Sequence, residues 1–371
     1  MYQYVVVISK EIDSITAKFP VAGYCDGTNL SLGRVVLKGA AAQRITSCRL
    51  ISHRKPQLNQ RLSVTRKGEQ AIIDIPALPL GDNGVSFELM GETTAKQSVS
   101  LLSCACEKSY RPSHVIFVVG SPRSGTTAVG NAIQRAFDTT VHGESHLSEI
   151  IGSLAEHAEK ALLDSPAKPI DGMLVNEITL ADIQMSIIKM MHRIHHQFYG
   201  DYLILDKTPG GPNIRALWLM LRAYPDGKVI YCKRRGIENV ISRLTKFPGV
   251  DFEGHCKQWR QNFIVWEQAV RLNTRELGHS DWHTDVEQLR LASRPEDVLN
   301  ELSVWLAMTE EQKARALEYL TFQSPQKTSD YKRALDLDSV DWTNEQKEKF
   351  KLICGEQMKR QGYSYTSDYY L

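Results

Sequence analysis

The feature that most constrains this chain is the run from His114 to Phe137. His114-Val-Ile-Phe-Val-Val-Gly120 has the composition of a buried strand. It leads through Ser121-Pro-Arg-Ser124 into Gly125-Thr-Thr127 and a predicted helix over Thr126–Phe137. Strand, Gly-bounded loop and helix N-terminus in that order make an anion cradle. Backbone N–H groups point inward, and the helix dipole adds positive potential. Gly120-x4-Gly125 has the spacing of the nucleotide-triphosphate P-loop, in which a Lys follows the second Gly. Here that residue is Thr126, so the point charge on the β- and γ-phosphates is missing. The loop's cation is Arg123 instead. The pattern predicts a phosphate site that is not a Walker site.

From His114 onward, strands alternate with helices. Asp201–Leu205 and Lys228–Lys233 read as further strands. Helices are predicted over Leu180–Tyr199, Asn213–Tyr224 and Gly236–Thr245. This alternation implies an α/β fold, a P-loop-type parallel sheet flanked by helices. Beyond Glu253 the chain reads as mostly helical: Trp259–Leu277, Pro295–Met308, Glu310–Tyr319 and Asn344–Gln361. Residues 1–110 differ. Short apolar segments such as Tyr4–Ser9, Gly33–Leu37 and Val85–Met90 are separated by Gly and Asn turns, the pattern of a β-rich, sandwich-like domain. A polar linker around Glu107–Ser113 closes it. The expected domains are therefore an accessory unit, 1–110, and a catalytic unit, 113–371.

The net charge of +2 is too balanced for a dedicated nucleic-acid or membrane-surface binder. Apolar runs such as Val115–Val119 fall far short of the roughly 20 residues that span a bilayer. Met1–Ile8 lacks the basic and apolar regions of a signal peptide. Seven scattered cysteines read as reduced structural thiols, and a cytoplasmic location is expected. The Cys104-x-Cys106 pair is a weak metal signal. His192 and His196, four apart on a predicted helix, have zinc-like spacing but no third ligand in view. They read as solvated helix residues, and no metal is expected. Trp218, Trp259 and Trp266 read as core.

The run Ser121-Pro-Arg-Ser-Gly-Thr-Thr127 resembles the 5′-phosphosulfate loop of sulfotransferases that use 3′-phosphoadenosine-5′-phosphosulfate (PAPS). The resemblance assigns Arg123 to the bridging oxygen and sulfuryl group, and Ser124, Gly125, Thr126 and Thr127 to the 5′-phosphate. The family's 3′-phosphate site is an Arg at a strand end and a Ser eight residues later. Arg234 and Ser242 have that spacing. Arg offers a forked pair of donors to a phosphate. Lys233 and Arg235 are neighbours that could also serve, so the choice of Arg234 rests on the resemblance. Asp285–Arg290 and Gln361-Gly-Tyr363 resemble packing segments of the family. The match spans about 113–365. Two departures stand out: Val286 replaces the usual Tyr, and the Arg-Lys-Gly segment of cytosolic members is not evident.

Sulfuryl transfer needs an in-line nucleophile, a base for its proton, and positive charge on the leaving phosphate. A short strand around Thr139–Val141 is expected to carry Val141-His-Gly-Glu-Ser-His-Leu147 to the loop. Glu144-Ser-His146 resembles the Glu-x-His pair of the family's glycan-type branch, which implies Glu144 as base and His146 as its partner. Cytosolic members use a His, so His146 and His142 stay open as the base. Asp206-Lys-Thr-Pro209 resembles the Glu-Lys-Ser-Pro segment of the same branch. Lys207 would then stabilise the leaving group or position the acceptor. Asp206 would fix the surroundings of Glu144 or meet an acceptor hydroxyl. The resemblance implies PAPS as co-substrate, adenosine 3′,5′-bisphosphate as product, and a glycan, lipid-linked or small-metabolite acceptor. Two other readings remain: a P-loop kinase, or a non-catalytic PAPS-binding protein with a degenerate transferase domain.

Overall fold

The computed structural model describes residues 1–10, 14–109, 111–139, 143–164, 173–322 and 334–371. In the N-terminal region a six-stranded antiparallel sheet runs Ala22–Cys25, Tyr2–Ile8, Ser98–Lys108, Val85–Thr93, Ile45–Ile51, Gln60–Leu62. A four-stranded antiparallel sheet runs Ile15–Ala17, Gly33–Lys38, Gln70–Ile75, Val64–Lys67. Val6, Phe87, Leu102 and Cys104 of the first share one core with Val35, Leu37 and Ile73 of the second. This is sandwich packing of two antiparallel sheets. Cys104 and Cys106 are both buried strand residues of this core, and all seven cysteines are free thiols.

The other face of the larger sheet is also covered. Val5 and Ala105 belong to a core that includes Met185, Ile188 and Met191 of the Leu180–Tyr199 helix. Burial on both faces explains why Val5-Val-Val-Ile8 is an unbroken apolar run rather than an alternating one. Gln3 is wholly buried at this junction. Its Nε2 donates to the carbonyls of Arg222 (2.8 Å) and Ala223 (2.9 Å), and its Oε1 accepts from Ser109 Oγ at 2.9 Å.

The second sheet has four parallel strands in the order Leu203–Lys207, His114–Gly120, Lys228–Lys233, His283–Glu287. Alternate residues of the central strands face opposite layers. Ile116, Val118 and Ile230 pack with Val129 and Ile133 of the Thr126–Phe137 helix. Phe117, Val119 and Tyr231 pack with the Leu180–Tyr199, Leu217–Ala223 and Phe252–Leu277 helices. The carboxyl ends of all four strands lie at one edge, where open α/β sheets bind ligands.

Several elements differ from expectation. The fourth strand, His283–Glu287, lies within the stretch read as helical; its sequence is short and polar because it is an edge strand with only Val286 and Glu287 buried. The helix expected over Asn213–Tyr224 is two, Gly211–Arg215 and Leu217–Ala223. A helix over Leu147–Leu163 had no counterpart in the sequence reading. The long helix begins early, at Phe252, where Asp251 Oδ1 accepts from Gly254 N at 2.7 Å. Thr139 lies in no strand, and Thr140, Val141 and His142 fall outside the described residues. His196 is exposed as expected, but His192 is buried. Burial lowers its pKa to about 4, and its Nε2 lies 2.7 Å from the Ala223 carbonyl at the inter-unit junction. Among the described residues no helix is long and apolar enough to cross a membrane.

Candidate active site

The loop after the central strand turns on two left-handed residues, Arg123 at φ 74° and Gly125 at φ 92°. Gly120, at φ 150°, passes so close to the next strand that a Cβ would sit 2.2 Å from the Cys232 carbonyl oxygen. Ser124 is buried within the loop. Its Oγ accepts from Asn239 Nδ2 at 3.1 Å, and the same amide donates to the Pro122 carbonyl at 3.0 Å. Thr126 and Thr127 open the helix behind Gly125. The sequence reading did not include Asn239. It lies three residues before Ser242 on the Gly236–Lys246 helix, so both occupy one helical face.

The three basic residues ending the Lys228–Lys233 strand have separate fates. Lys233 pairs with Asp285 at 2.9 Å. Arg235 is fully buried; it pairs with Glu238, donates to the Ser364 and Thr366 carbonyls, and lies over the Tyr369 ring. Arg235 therefore anchors the C-terminal segment. Arg234 faces the loop, its Nη1 donating to the Arg123 carbonyl at 3.2 Å. Among the described residues Arg234 has no salt-bridge partner and its buried Nε no acceptor; burial lowers its pKa. Arg123 Nε in turn donates to Ser242 Oγ at 3.1 Å. Arg123, Arg234 and Ser242 thus converge. A buried guanidinium with an unfilled donor fits an anionic ligand such as a 3′-phosphate.

The neighbouring strand supplies the rest. Observed strand residues run to Lys207, two beyond the expected end, so Asp206 and Lys207 are fixed by the sheet. Backbone bonds from Thr208 N to the Val118 carbonyl (3.2 Å) and from Gly210 N to the Gly120 carbonyl (2.8 Å) hold this strand end beside the loop. The Lys207 stem packs against Gly130 of the loop helix, where a Cβ would meet Lys207 Cγ at 3.0 Å. Lys207 Nζ donates to Glu144 Oε1 at 3.2 Å, and His146 Nε2 lies 3.5 Å from Glu144 Oε2. Lys207 is nearly buried, whereas the Glu144 side chain is 41% exposed.

Asp206 is 1% exposed. Its carboxylate accepts from Ser145 Oγ at 2.7 Å and from Thr208 Oγ1 at 2.9 Å. Burial raises its pKa against those two bonds. Because Ser145 sits between Glu144 and His146, Asp206 ties the Glu-Ser-His turn to the sheet. The site therefore gathers two arginines, a lysine and a carboxylate at the ends of three adjacent strands. It is equipped to hold phosphate-type charge and to take a proton next to it.

A Sulfotransferase family model matches residues 115–312, from the loop strand to the start of the Glu310–Phe322 helix. Among solved structures, the sulfotransferase domain of the Synechococcus PCC 7002 olefin synthase aligns at 18% identity and TM-score 0.39. It covers 58% of this chain and 79% of its own. Sulfotransferase STF9 from Mycobacterium avium aligns at 15% identity and TM-score 0.41, covering 68% and 77%. A mouse sulfotransferase complexed with PAP aligns at 13% identity and TM-score 0.39, covering 68% and 86%. Comparison with curated proteins gives no match. The family model spans more than half of the chain and takes in the loop, the Lys207 strand and the Arg234–Ser242 pair: the chain belongs to the sulfotransferase family.

Proposed function

We propose that the protein transfers a sulfuryl group from PAPS to a hydroxyl or amine of a glycan, lipid-linked or small-metabolite acceptor. The observation that carries this reading is the convergence of Arg123, Arg234 and Ser242 beside the Lys207–Glu144 pair. PAPS supplies a sulfuryl group on a phosphosulfate bridge; the acceptor's O–S or N–S bond forms as the bridging O–S bond breaks, releasing adenosine 3′,5′-bisphosphate. Ser124, Gly125, Thr126 and Thr127 hold the 5′-phosphate, and Arg234 with Ser242 holds the 3′-phosphate. Arg123 and Lys207 bear the charge that builds on the leaving side. Glu144 takes the acceptor's proton at a carboxylate oxygen, with His146 as its partner. Residues 113–371 form the transferase unit, and 1–110 is an accessory domain docked on it.

Isothermal titration tests the donor assignment. Tight binding of adenosine 3′,5′-bisphosphate, weak binding of AMP, and loss of that difference in Arg234→Ala are expected. Equal wild-type affinities for AMP and the bisphosphate would sink it. Transfer of ³⁵S from labelled PAPS across an acceptor panel then identifies the acceptor.

A further inference from the structure

Four arginines are buried among the described residues, and they fall into two pairs. Arg222 and Arg235 are neutralised, by Glu276 and Glu238 respectively. Arg234 and Arg243 have no salt-bridge partner among the described residues. A buried cation without a counter-ion costs several kcal/mol, by an order-of-magnitude reckoning. The proposed donor site accounts for Arg234. Nothing in that site accounts for Arg243.

Arg243 is 4% exposed, one residue beyond Ser242 on the Gly236–Lys246 helix. Every group seating it is neutral. Its Nε donates to His255 Nδ1 at 3.3 Å, its Nη2 donates to Gln258 Oε1, and the Phe247 ring lies 5.8 Å from its guanidinium carbon. Its Nη1 is buried and has no acceptor among the described residues. His255 is itself fixed, because its Nε2 faces the Phe247 carbonyl at 3.2 Å. Donation there leaves Nδ1 as the acceptor for Arg243. Burial, and Arg243 itself, lower the His255 pKa and keep the ring neutral. The guanidinium is thus oriented by groups that do not quench its charge, with one donor uncommitted. The Phe247 ring beside it is 38% exposed.

We propose that Arg243 is an anion subsite that takes a carboxylate, sulfate or phosphate group. That anion has two sources, the donor's own 3′-phosphate or an acidic group on the acceptor. The first source rests on the donor reading above; the second does not.

The test is isothermal titration of the full chain with inorganic phosphate, AMP and adenosine 3′,5′-bisphosphate, in wild type, Arg243→Gln and Arg243→Lys. Phosphate is titrated again into protein saturated with the bisphosphate. If the acceptor supplies the anion, phosphate still binds the saturated wild type and weakens about tenfold in Arg243→Gln. If the donor supplies it, Arg243→Gln loses about tenfold on the bisphosphate and nothing on AMP. In both cases the melting temperature of unliganded Arg243→Gln equals or exceeds that of wild type, because an unpaired buried charge has been removed. Three results overturn the proposal: wild type that binds none of the three probes, Arg243→Gln that binds all of them as wild type does, or equal losses on AMP and bisphosphate with a lowered melting temperature. Should Arg243→Gln fail to fold, Arg243→Lys keeps the charge and loses the fork. An anion affinity unchanged in that variant overturns the proposal as well. Equal binding of AMP and bisphosphate by wild type would defeat the donor reading alone and leave the phosphate comparison standing.

Discussion

Arg123 Nε and Ser242 Oγ are joined by a 3.1 Å hydrogen bond across 119 residues of sequence. The loop cation and the helix hydroxyl therefore hold each other in the unliganded protein. If the proposed donor site is right, binding exchanges this bond for bonds to phosphate-type oxygens. Ser242→Ala is expected to weaken adenosine 3′,5′-bisphosphate by about tenfold while leaving AMP affinity within about twofold, since a bond to a charged group contributes about 1.5–3 kcal/mol. Titration of both nucleotides checks it, and equal losses would place Ser242 outside the 3′-phosphate site.

On the proposed mechanism, Glu144 takes the proton and Lys207 stabilises the charge. Glu144→Gln keeps the shape and removes the base. It is expected to lower kcat by about a hundredfold or more with bisphosphate affinity unchanged. His146→Asn is expected to cost less. Steady-state ³⁵S transfer compares them, and the opposite ranking assigns the base to His146.

On the proposed reading Asp206 acts as a positioning residue, tied to the Glu144 turn through Ser145 and through Thr208, which accepts from His146 N. Asp206→Ala frees the turn and is expected to lower kcat about tenfold with little change in the KM for PAPS, as misplacement of a reacting group does. Ser145→Ala should reproduce most of that effect. If both variants change only thermal stability, the positioning role is wrong.

Glu287, at the end of the edge strand, accepts from Tyr363 Oη at 2.5 Å and from the Tyr369 hydroxyl. Burial, outweighing those two bonds, raises its pKa from 4.5 to about 7. A group whose folded pKa is raised binds its proton more tightly in the folded state. Its contribution is complete below about pH 4.5 and is lost as pH rises through about 7, amounting to roughly 3 kcal/mol. Melting curves of wild type and Glu287→Gln should diverge over that window, the variant gaining as pH rises. Parallel curves from pH 4 to 8 would refute it.

Gln3 satisfies two carbonyls of the transferase unit from the first strand of the chain. Gln3→Leu fills the space and strands both acceptors. A loss of about 1–3 kcal/mol per unsatisfied group is expected in denaturant melts. A loss below about 0.5 kcal/mol would mean that the junction bears little of the stability.

The loop helix, Thr126–Phe137, was legible to the residue, because a Gly boundary and a buried strand frame it. The Arg234–Ser242 spacing was legible as a pattern, but only the partners each residue meets in the fold separate Arg234 from Lys233 and Arg235. His283–Glu287 was not legible, since an edge strand with two buried residues carries almost no periodic signal. His192 was misread as solvated. Its helix is covered by the strands Tyr2–Ile8 and Ser98–Lys108, both well earlier in the chain, and no local pattern records that. Arg243 and Asn239 were invisible for the same reason: their partners lie on other elements.

The covered outer face of the larger N-terminal sheet has a consequence for synthesis. Tyr2–Ile8 is made well before the elements that cover it. Its neighbour on one side, Ser98–Lys108, arrives about a hundred residues later, pairing Tyr2 with Lys108. The helix that covers its back, Leu180–Tyr199, arrives later still. Val5-Val-Val-Ile8 is thus made long before it is enclosed. During that interval its Ser98–Lys108 edge is open, apolar and of high β-propensity, which makes it prone to mispairing with other chains.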